Sequence, residues 1–383
     1  MKTSYELPKE LHDEIYEKEI KSYYLPMSRA QEHPCAIITG GQPGSGKSGI
    51  TDIATERFRN TGYVLVDADK LRPKHPDYKR LAKSGRNDAA DVTHPDAGAW
   101  AQHLMRDGID GRRNIIIDQT SRDPVGMEKI ISELRKSGYR VEFHAMAVSA
   151  EVSEQRIHQR YEGQIAKDGY GRFSQPDKHD AAYSGLTRTV EAVEQKRLVD
   201  KLCLYDRNLT MIYENTLEQG RWKSRPTAAQ TLEGERNRPM TVGEAKEYEQ
   251  GWGKLVQQKN APGRKATDEV KALAQARYKT AQEVHQSAVE MDAVVKKIHG
   301  QPLPGGLKGV VEPAGKKIPL EYRGKITHLT PHHALQQIGS NKYVLHARGK
   351  VAQDLQVGKS ATISYMPGLS RGQEPERGKG LQR

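Results

Sequence analysis

In the first part of the chain, short continuous apolar runs alternate with stretches in which apolar residues recur every three or four positions. The runs are Cys35–Thr39 (CAIIT), Tyr63–Val66 (YVLV), Asn114–Ile117 (NIII) and Val141–Val148 (VEFHAMAV). A fifth falls at Leu202–Tyr205 or Met211–Tyr213. Short apolar runs bounded by turn residues suit strands. Helical spacing fills about 47–59, 96–109, 124–137, 149–166 and 183–200. An amphipathic helix over 7–24 precedes the first strand, with Leu11, Ile15, Ile20 and Tyr23 on one stripe. Strands alternating with helices predict a parallel sheet covered on both faces, an α/β domain over 1–220.

The pattern changes after residue 220. Residues 221–268 are rich in Arg, Lys, Gly, Pro and Gln and read as linker with one or two short helices. Residues 266–299 form one long helical pattern of recurring Ala and Val. A helix so poor in large apolar residues seldom stands alone and is expected to pack on a neighbour. Residues 221–306 are thus a basic linker with a helical segment. A small β-rich domain is expected over 307–366, from the segments IPLEY, KITHL, YVLHAR and ATISY. Residues 367–383 have a disordered composition.

Composition narrows the functional classes. Of 383 residues, 35% are hydrophobic and 29% charged, and no run approaches the roughly 18 apolar residues of a spanning helix. No membrane role is expected. The charged amino terminus lacks an apolar core, so no secretory signal is read. Cys35 and Cys203 are too few for a disulfide framework or a four-ligand zinc site and read as buried, reduced thiols. The cytoplasm is the expected compartment. Net charge is +12, and it is uneven: residues 1–220 carry 33 Lys+Arg against 34 Asp+Glu, residues 221–383 carry 28 against 15. The basic carboxy-terminal part makes nucleic acid, an anionic surface or an acidic protein a candidate partner. A solvated tail accounts for the same excess.

Gly41-Gln42-Pro43-Gly44-Ser45-Gly46-Lys47-Ser48 fits G-x-x-x-x-G-K-[ST] and sits between a strand and a helix. The glycines let the backbone curl so that its N–H groups face a phosphate chain, and the following helix points its positive end at the same anions. Lys47 reaches the β- and γ-phosphates, and Ser48 supplies a hydroxyl to Mg²⁺. ATP and Mg²⁺ are therefore expected, in a P-loop NTPase-like sheet flanked by helices.

Val66-Asp67-Ala68-Asp69-Lys70 follows the second strand, and its carboxylates leave the sheet at the carboxyl edge, where ligands of such folds bind. One acid there can take the proton of an acceptor hydroxyl. A solvated turn or a helix cap is the alternative. Asp118, after the third strand, suits a substrate hydroxyl or a magnesium-bound water, and equally a cap of the helix that begins near Pro124. Arg160 and Arg172 fall late on a helix and in the loop after it, a lid position over a transferring phosphate, or simply on the surface.

Taken in order, ITGGQPGSGKS, VDADKLRPKHPDY, NIIIDQTSR, FHAMAV, QRYE and GRFSQPDKHD resemble the zeta toxin family, over about residues 5–215. These are P-loop kinases of bacterial toxin–antitoxin systems that phosphorylate UDP-N-acetylglucosamine and so block cell-wall synthesis. The resemblance implies that Lys47 binds the ATP phosphates and Asp69 is the general base on the sugar hydroxyl. It implies that Asp118, Thr120 and Arg122, with Asp67 beside them, line the substrate pocket, and that Arg160 and Arg172 clamp the phosphates. Well-known members carry Glu then Gly where this chain has Asp118 and Gln119, and a carboxylate one methylene shorter reaches about 1.5 Å less far. The resemblance also implies restraint, by an antitoxin protein or by the carboxy-terminal region itself. The unit from Ile318 to Tyr365 is similar to a KfrB-like domain of plasmid-encoded proteins. Two rival readings stand beside this one. One is a P-loop kinase of another metabolite or a polynucleotide end. The other is a plasmid-encoded nucleic-acid-binding accessory with a regulatory nucleotide site.

Overall fold

The computed structural model describes residues 5–84, 88–300, 308–315, 321–351 and 354–365. The chain divides into two compact units, Met1–Ala228 and Ala229–Arg383. The first is an α/β unit built on a sheet of order β2-β3-β1-β4-β5-β6-β7. Its strands are β1 (Cys35–Gly40), β2 (Val64–Val66), β3 (Ile115–Asp118), β4 (Arg140–Met146), β5 (Lys201–Tyr205), β6 (Met211–Glu218) and β7 (Arg221–Trp222). The first five are mutually parallel, and β6 and β7 add antiparallel. Both candidates for the fifth strand are strands. The apolar runs are continuous because helices cover both faces of the central strands, and Ile37, Ile38, Ile115, Ile116 and Phe143 are all buried.

At the amino end, α1 (Lys9–Ile15) runs through a π-type turn over Tyr16–Lys21 into α2 (Ser22–Tyr24). The wider turn holds an extra residue and rotates everything after it. The buried set is Ile15, Tyr16 and Ile20, while Leu11 (38%), ahead of the turn, and Tyr23 (58%), rotated by it, are exposed. The crossovers are α3 (Lys47–Arg57), the short α4 (Ala68–Leu71), α5 (Tyr78–Lys83) and α6 (Ala89–Val92), then α7 (His94–Asp110), α8 (Pro124–Lys136), α9 (Ala150–Asp168) and α10 (Pro176–Gln195). Helix α10 starts seven residues before the expected 183. Pro176 sits in its first turn, where a fixed φ and a missing N–H fit the helix. The loop at the lid position is thereby cut to residues 169–175.

In the second unit, the expected linker contains two more helices, α11 (Ala228–Asn237) and α12 (Val242–Lys259), ahead of the long α13 (Asp268–Gly300). Helix α12 opens with a reciprocal cap, Thr241 with Glu244. Its Tyr248, Trp252 and Leu255 pack with Ala274 and Ala281 of α13. The alanine-rich helix thus has its partner in the segment whose Lys- and Gln-rich composition concealed a buried face.

A five-stranded sheet follows, of order β12-β9-β10-β11-β8, made of β8 (Val310–Pro313), β9 (Glu321–Leu329), β10 (His333–Gln337), β11 (Lys342–Ala347) and β12 (Ser360–Ser364). The described part of IPLEY joins KITHL in one strand, β9. Residues 318–320 and 367–383 lie outside the described residues. The polar segment HALQQ gave no strand signal, yet β10 is central. Buried Gln336 is satisfied there, donating to the carbonyls of Gly324 (3.1 Å) and Ala361 (2.8 Å) and pairing with His346 (3.1 Å).

Helix α10 also fixes the loop after β3, because a Cβ on Gly185 would lie 2.2 Å from the Arg122 carbonyl oxygen. Gly185→Ala is expected to cost about 1–3 kcal/mol by overpacking. Urea denaturation checks this, and an unchanged midpoint would contradict it.

Candidate functional site

The carboxyl ends of β1, β2 and β3 open into one cleft of about 820 Å³, closed on the far side by α9, residues 169–175 and the start of α10. Three of its walls are segments leaving these parallel strands at the same edge, so residues far apart in sequence converge there.

The loop after β1 is wound for an anion. Gly44 (φ +79°) and Gly46 (φ +94°) hold left-handed conformations, and a Cβ on Gly44 would meet the Ser153 carbonyl oxygen at 2.1 Å. Gly46 caps the amino terminus of α3. Lys47 Nζ donates to the Gly41 carbonyl (3.0 Å). Burial pulls the Lys47 pKa down, against Asp118 and Asp69, which favour its charge. Ser45 Oγ is buried with no hydrogen-bond partner, and Ser48 is exposed on the cleft. Pro43 lines the cleft too. Gln42 does not belong with these by its side chain. Its amide is buried, donating to Val148 O (2.8 Å) and Ser153 Oγ (3.1 Å), and so ties the loop to the β4–α9 junction.

The two acids after β2 have separate jobs. Asp67 is the cap of α4, accepting from the Asp69 and Lys70 amides (2.8 and 3.4 Å). The helix-cap alternative therefore describes it. Burial, with Asp118 and Asp69 nearby, pushes its pKa up to about 6. Asp69 projects into the cleft, where Arg72 Nη1 (2.6 Å) and Arg172 grip its two oxygens. Burial resists its ionisation, but the Arg172 and Arg72 guanidiniums outweigh that and hold the carboxyl well below the usual range. Sequence reasoning missed Arg72. The signal was present, since three residues apart on a helix puts Arg72 beside Asp69. Arg72 is itself buried, under Tyr78 and beside His94 Nδ1 (3.4 Å).

Asp118 ends β3 in register with Thr39 of β1. It accepts from Thr39 Oγ1 (3.3 Å) and from Thr51 Oγ1 of α3 (3.1 Å). The cap of α8 is Asp123, not Asp118. Thr120 lines the cleft, and its carbonyl accepts the Gly41 amide (3.3 Å). Arg122, on the same loop, lines the cleft too. Arg160 donates to Ser174 Oγ (2.9 Å), and burial and Arg172 lower its pKa. The lid segment is pinned by Phe173, which packs between His158 (5.0 Å) and Tyr161 (5.4 Å). Arg156, also unforeseen, bridges the Ser45 and Arg207 carbonyls (3.3 and 3.2 Å). Among the described residues, no group of three or more His, Cys, Asp or Glu side chains is placed to hold a metal ion alone, and no helix is long and apolar enough to cross a membrane.

The raised Asp67 pKa has a consequence for stability. A carboxyl whose folded pKa exceeds its unfolded value of 3.8 weakens folding as pH rises, with the penalty complete above about 6. Asn caps helices as well as Asp does. Asp67→Asn is therefore expected to gain stability over wild type between pH 4 and pH 7.5. Parallel urea melts at the two pH values check this, and a pH-independent difference would contradict it.

Comparison with known proteins gives the family. Residues 21–218 match the zeta toxin family and residues 321–369 match the KfrB domain. Toxin PezT of Streptococcus pneumoniae is 27% identical over 188 residues, covering 49% of this chain and 74% of that protein. Toxin zeta of Enterococcus hirae is 26% identical over 248 residues, covering 64% and 84%. A structure from the PezAT chromosomal toxin–antitoxin system of Streptococcus pneumoniae superposes with a TM-score of 0.56 at 21% identity, covering 66% of this chain and 98% of that one. The match over residues 21–218 takes in more than half of the sequence, and the chain belongs to the zeta toxin family.

Proposed function

We propose that the protein is an ATP-dependent kinase of the zeta toxin type. It transfers the γ-phosphoryl group to a hydroxyl of UDP-N-acetylglucosamine or a related nucleotide sugar, and so starves cell-wall synthesis in the cytoplasm. The observation that carries this reading is the shared cleft of Lys47 and Asp69: a loop wound for phosphates faces a carboxylate free of any capping role.

The residues fit a nucleoside triphosphate. The left-handed Gly44 and Gly46 curl the loop so that its amides can face a phosphate chain, and the buried Ser45 hydroxyl beneath it has no hydrogen-bond partner. Lys47 exchanges the Gly41 carbonyl for phosphate oxygens. Magnesium, when bound, neutralises phosphate charge, and the Ser48 hydroxyl and the Asp118 carboxylate would hold it. The grip of Thr39 and Thr51 on Asp118 supports that role over contact with the sugar. It also gives a reason why the shorter acid serves here, and it leaves acceptor contacts to Thr120 and Arg122.

Asp69 orients the acceptor hydroxyl and takes its proton as the phosphoryl group moves in line. A carboxylate gripped by two guanidiniums is a poor base. A triphosphate in the cleft competes for Arg172, since charge-assisted bonds to phosphate are stronger. Once Arg172 turns to the phosphates beside Arg160, Asp69 keeps Arg72 alone and regains basicity. Such cations over the transferred group are worth several orders of magnitude in rate. An antitoxin partner follows from the same reading.

Mass spectrometry of nucleotide sugars after incubation with ATP and magnesium tests the reaction. Wild type is expected to add one phosphate. Asp69→Asn is expected to bind ATP normally but lose transfer by about 10²–10⁴-fold. Lys47→Ala is expected to lose ATP binding and, on expression, any growth defect. Near-normal transfer by Asp69→Asn would remove the assigned base, and toxicity persisting in Lys47→Ala would point to a non-kinase activity.

A further inference from the structure

Past Asp69, the cleft holds a second charged pair that the proposed transfer does not use. Lys178, in the first turn of α10, is ion-paired with Asp91 of α6, and both line the cleft. Contacts locate the pair. Arg72 joins Asp69 (2.6 Å) to His94 Nδ1 (3.4 Å), and Asp91 lies three residues before His94. All four line the cleft with Lys178. Asp91 and Lys178 therefore belong to the wall that runs from Asp69 through Arg72 to His94, and not to the loop of Gly41–Ser48.

The pair is not built as a strut. Its side chains keep 43% and 46% of their surface exposed, and an ion pair so solvated contributes little to stability. An ammonium held this loosely is available to a better anion, and a phosphate offers more charge and more acceptor oxygens than a carboxylate does. Arg122, exposed on the cleft, adds a second cation.

We propose that Lys178 is a specificity-determining residue of the acceptor pocket. It trades Asp91 for a phosphate group carried by the acceptor, and Asp91 holds it in place until such a group arrives. The inference rests on reading the cleft as a kinase site and deepens it: the acceptor is a phosphorylated metabolite, and an uncharged sugar lacks the group that releases Lys178.

The test uses the full chain with magnesium and a non-hydrolysable ATP analogue. Calorimetry measures binding of UDP-N-acetylglucosamine, glucosamine 1-phosphate and uncharged N-acetylglucosamine to wild type, Lys178→Met, Lys178→Arg and Asp91→Asn. Lys178→Met is expected to weaken the phosphorylated acceptor by about 10–100-fold, the loss of one charge-assisted hydrogen bond. Lys178→Arg is expected to restore most of it, and binding of the ATP analogue stays within about twofold throughout, which also reports folding. Asp91→Asn is expected to tighten the phosphorylated acceptor, because a competitor is gone, whereas loss of a strut would weaken it in both variants. Unchanged affinity in Lys178→Met, weakening in both Lys178→Met and Asp91→Asn, preference for the uncharged sugar, or no binding of either phosphorylated acceptor to wild type would each overturn the inference. Binding that follows this pattern without phosphoryl transfer would leave Lys178 assigned and remove the kinase reading.

Discussion

The Asp69 carboxylate, held between Arg72 and Arg172, ties three parts of the cleft together. Asp69 and Arg72 belong to the segment after β2, and Arg172 to the lid between α9 and α10. One anion thus decides where the lid arginine rests. Arg72 is buried, which favours its staying with Asp69. Arg172 is half-exposed, on a loop anchored by Phe173, and is the member that can move. On the proposed reading, charge balance in this cleft couples nucleotide arrival to the readiness of the base. That is a physical reason for placing a carboxylate of depressed pKa at a position that asks for basicity.

This arrangement depends on the sheet. Parallel pairing of β1 with β3 brings Thr39 beside Asp118, and α3 adds Thr51, so the third acid is fixed against β1 and α3. Gln42 and Gly44 lock the loop to the start of α9, and Gly185 locks the loop after β3 to α10. Few of these contacts are local in sequence. They are backbone approaches that only a small side chain or a buried amide allows.

That distinction explains what could be read from the sequence. Strands β1 to β5 were legible because each is buried on both faces and announces itself as an apolar run. The loop of Gly41–Ser48 was legible from its motif, and the approach of Asp69 and Asp118 to it from strand order at a shared edge, whereas Thr120, Arg122, Arg160 and Arg172, which line the same cleft, were expected there from the family resemblance. Asp67 and Asp69 could not be separated, since capping depends on a φ/ψ choice one residue long. The inward side of the first helix was misplaced by a π-type turn that leaves no compositional mark. Helix α12 hid in a basic, Gln-rich stretch, and β10 hid because its buried Gln336 earns its place by hydrogen bonds and not by hydrophobicity. Arg156, His94 and Lys178 enter the cleft through tertiary contacts that no spacing rule reports.

The most direct measurement is a crystal structure with magnesium and a non-hydrolysable ATP analogue. The account predicts the terminal phosphate between Lys47 and Asp69, with Arg172 turned from the carboxylate to the phosphates and Arg72 unmoved. A nucleotide seated elsewhere, or one on the loop whose terminal phosphate points away from Asp69 while Arg172 still holds that carboxylate, would contradict it.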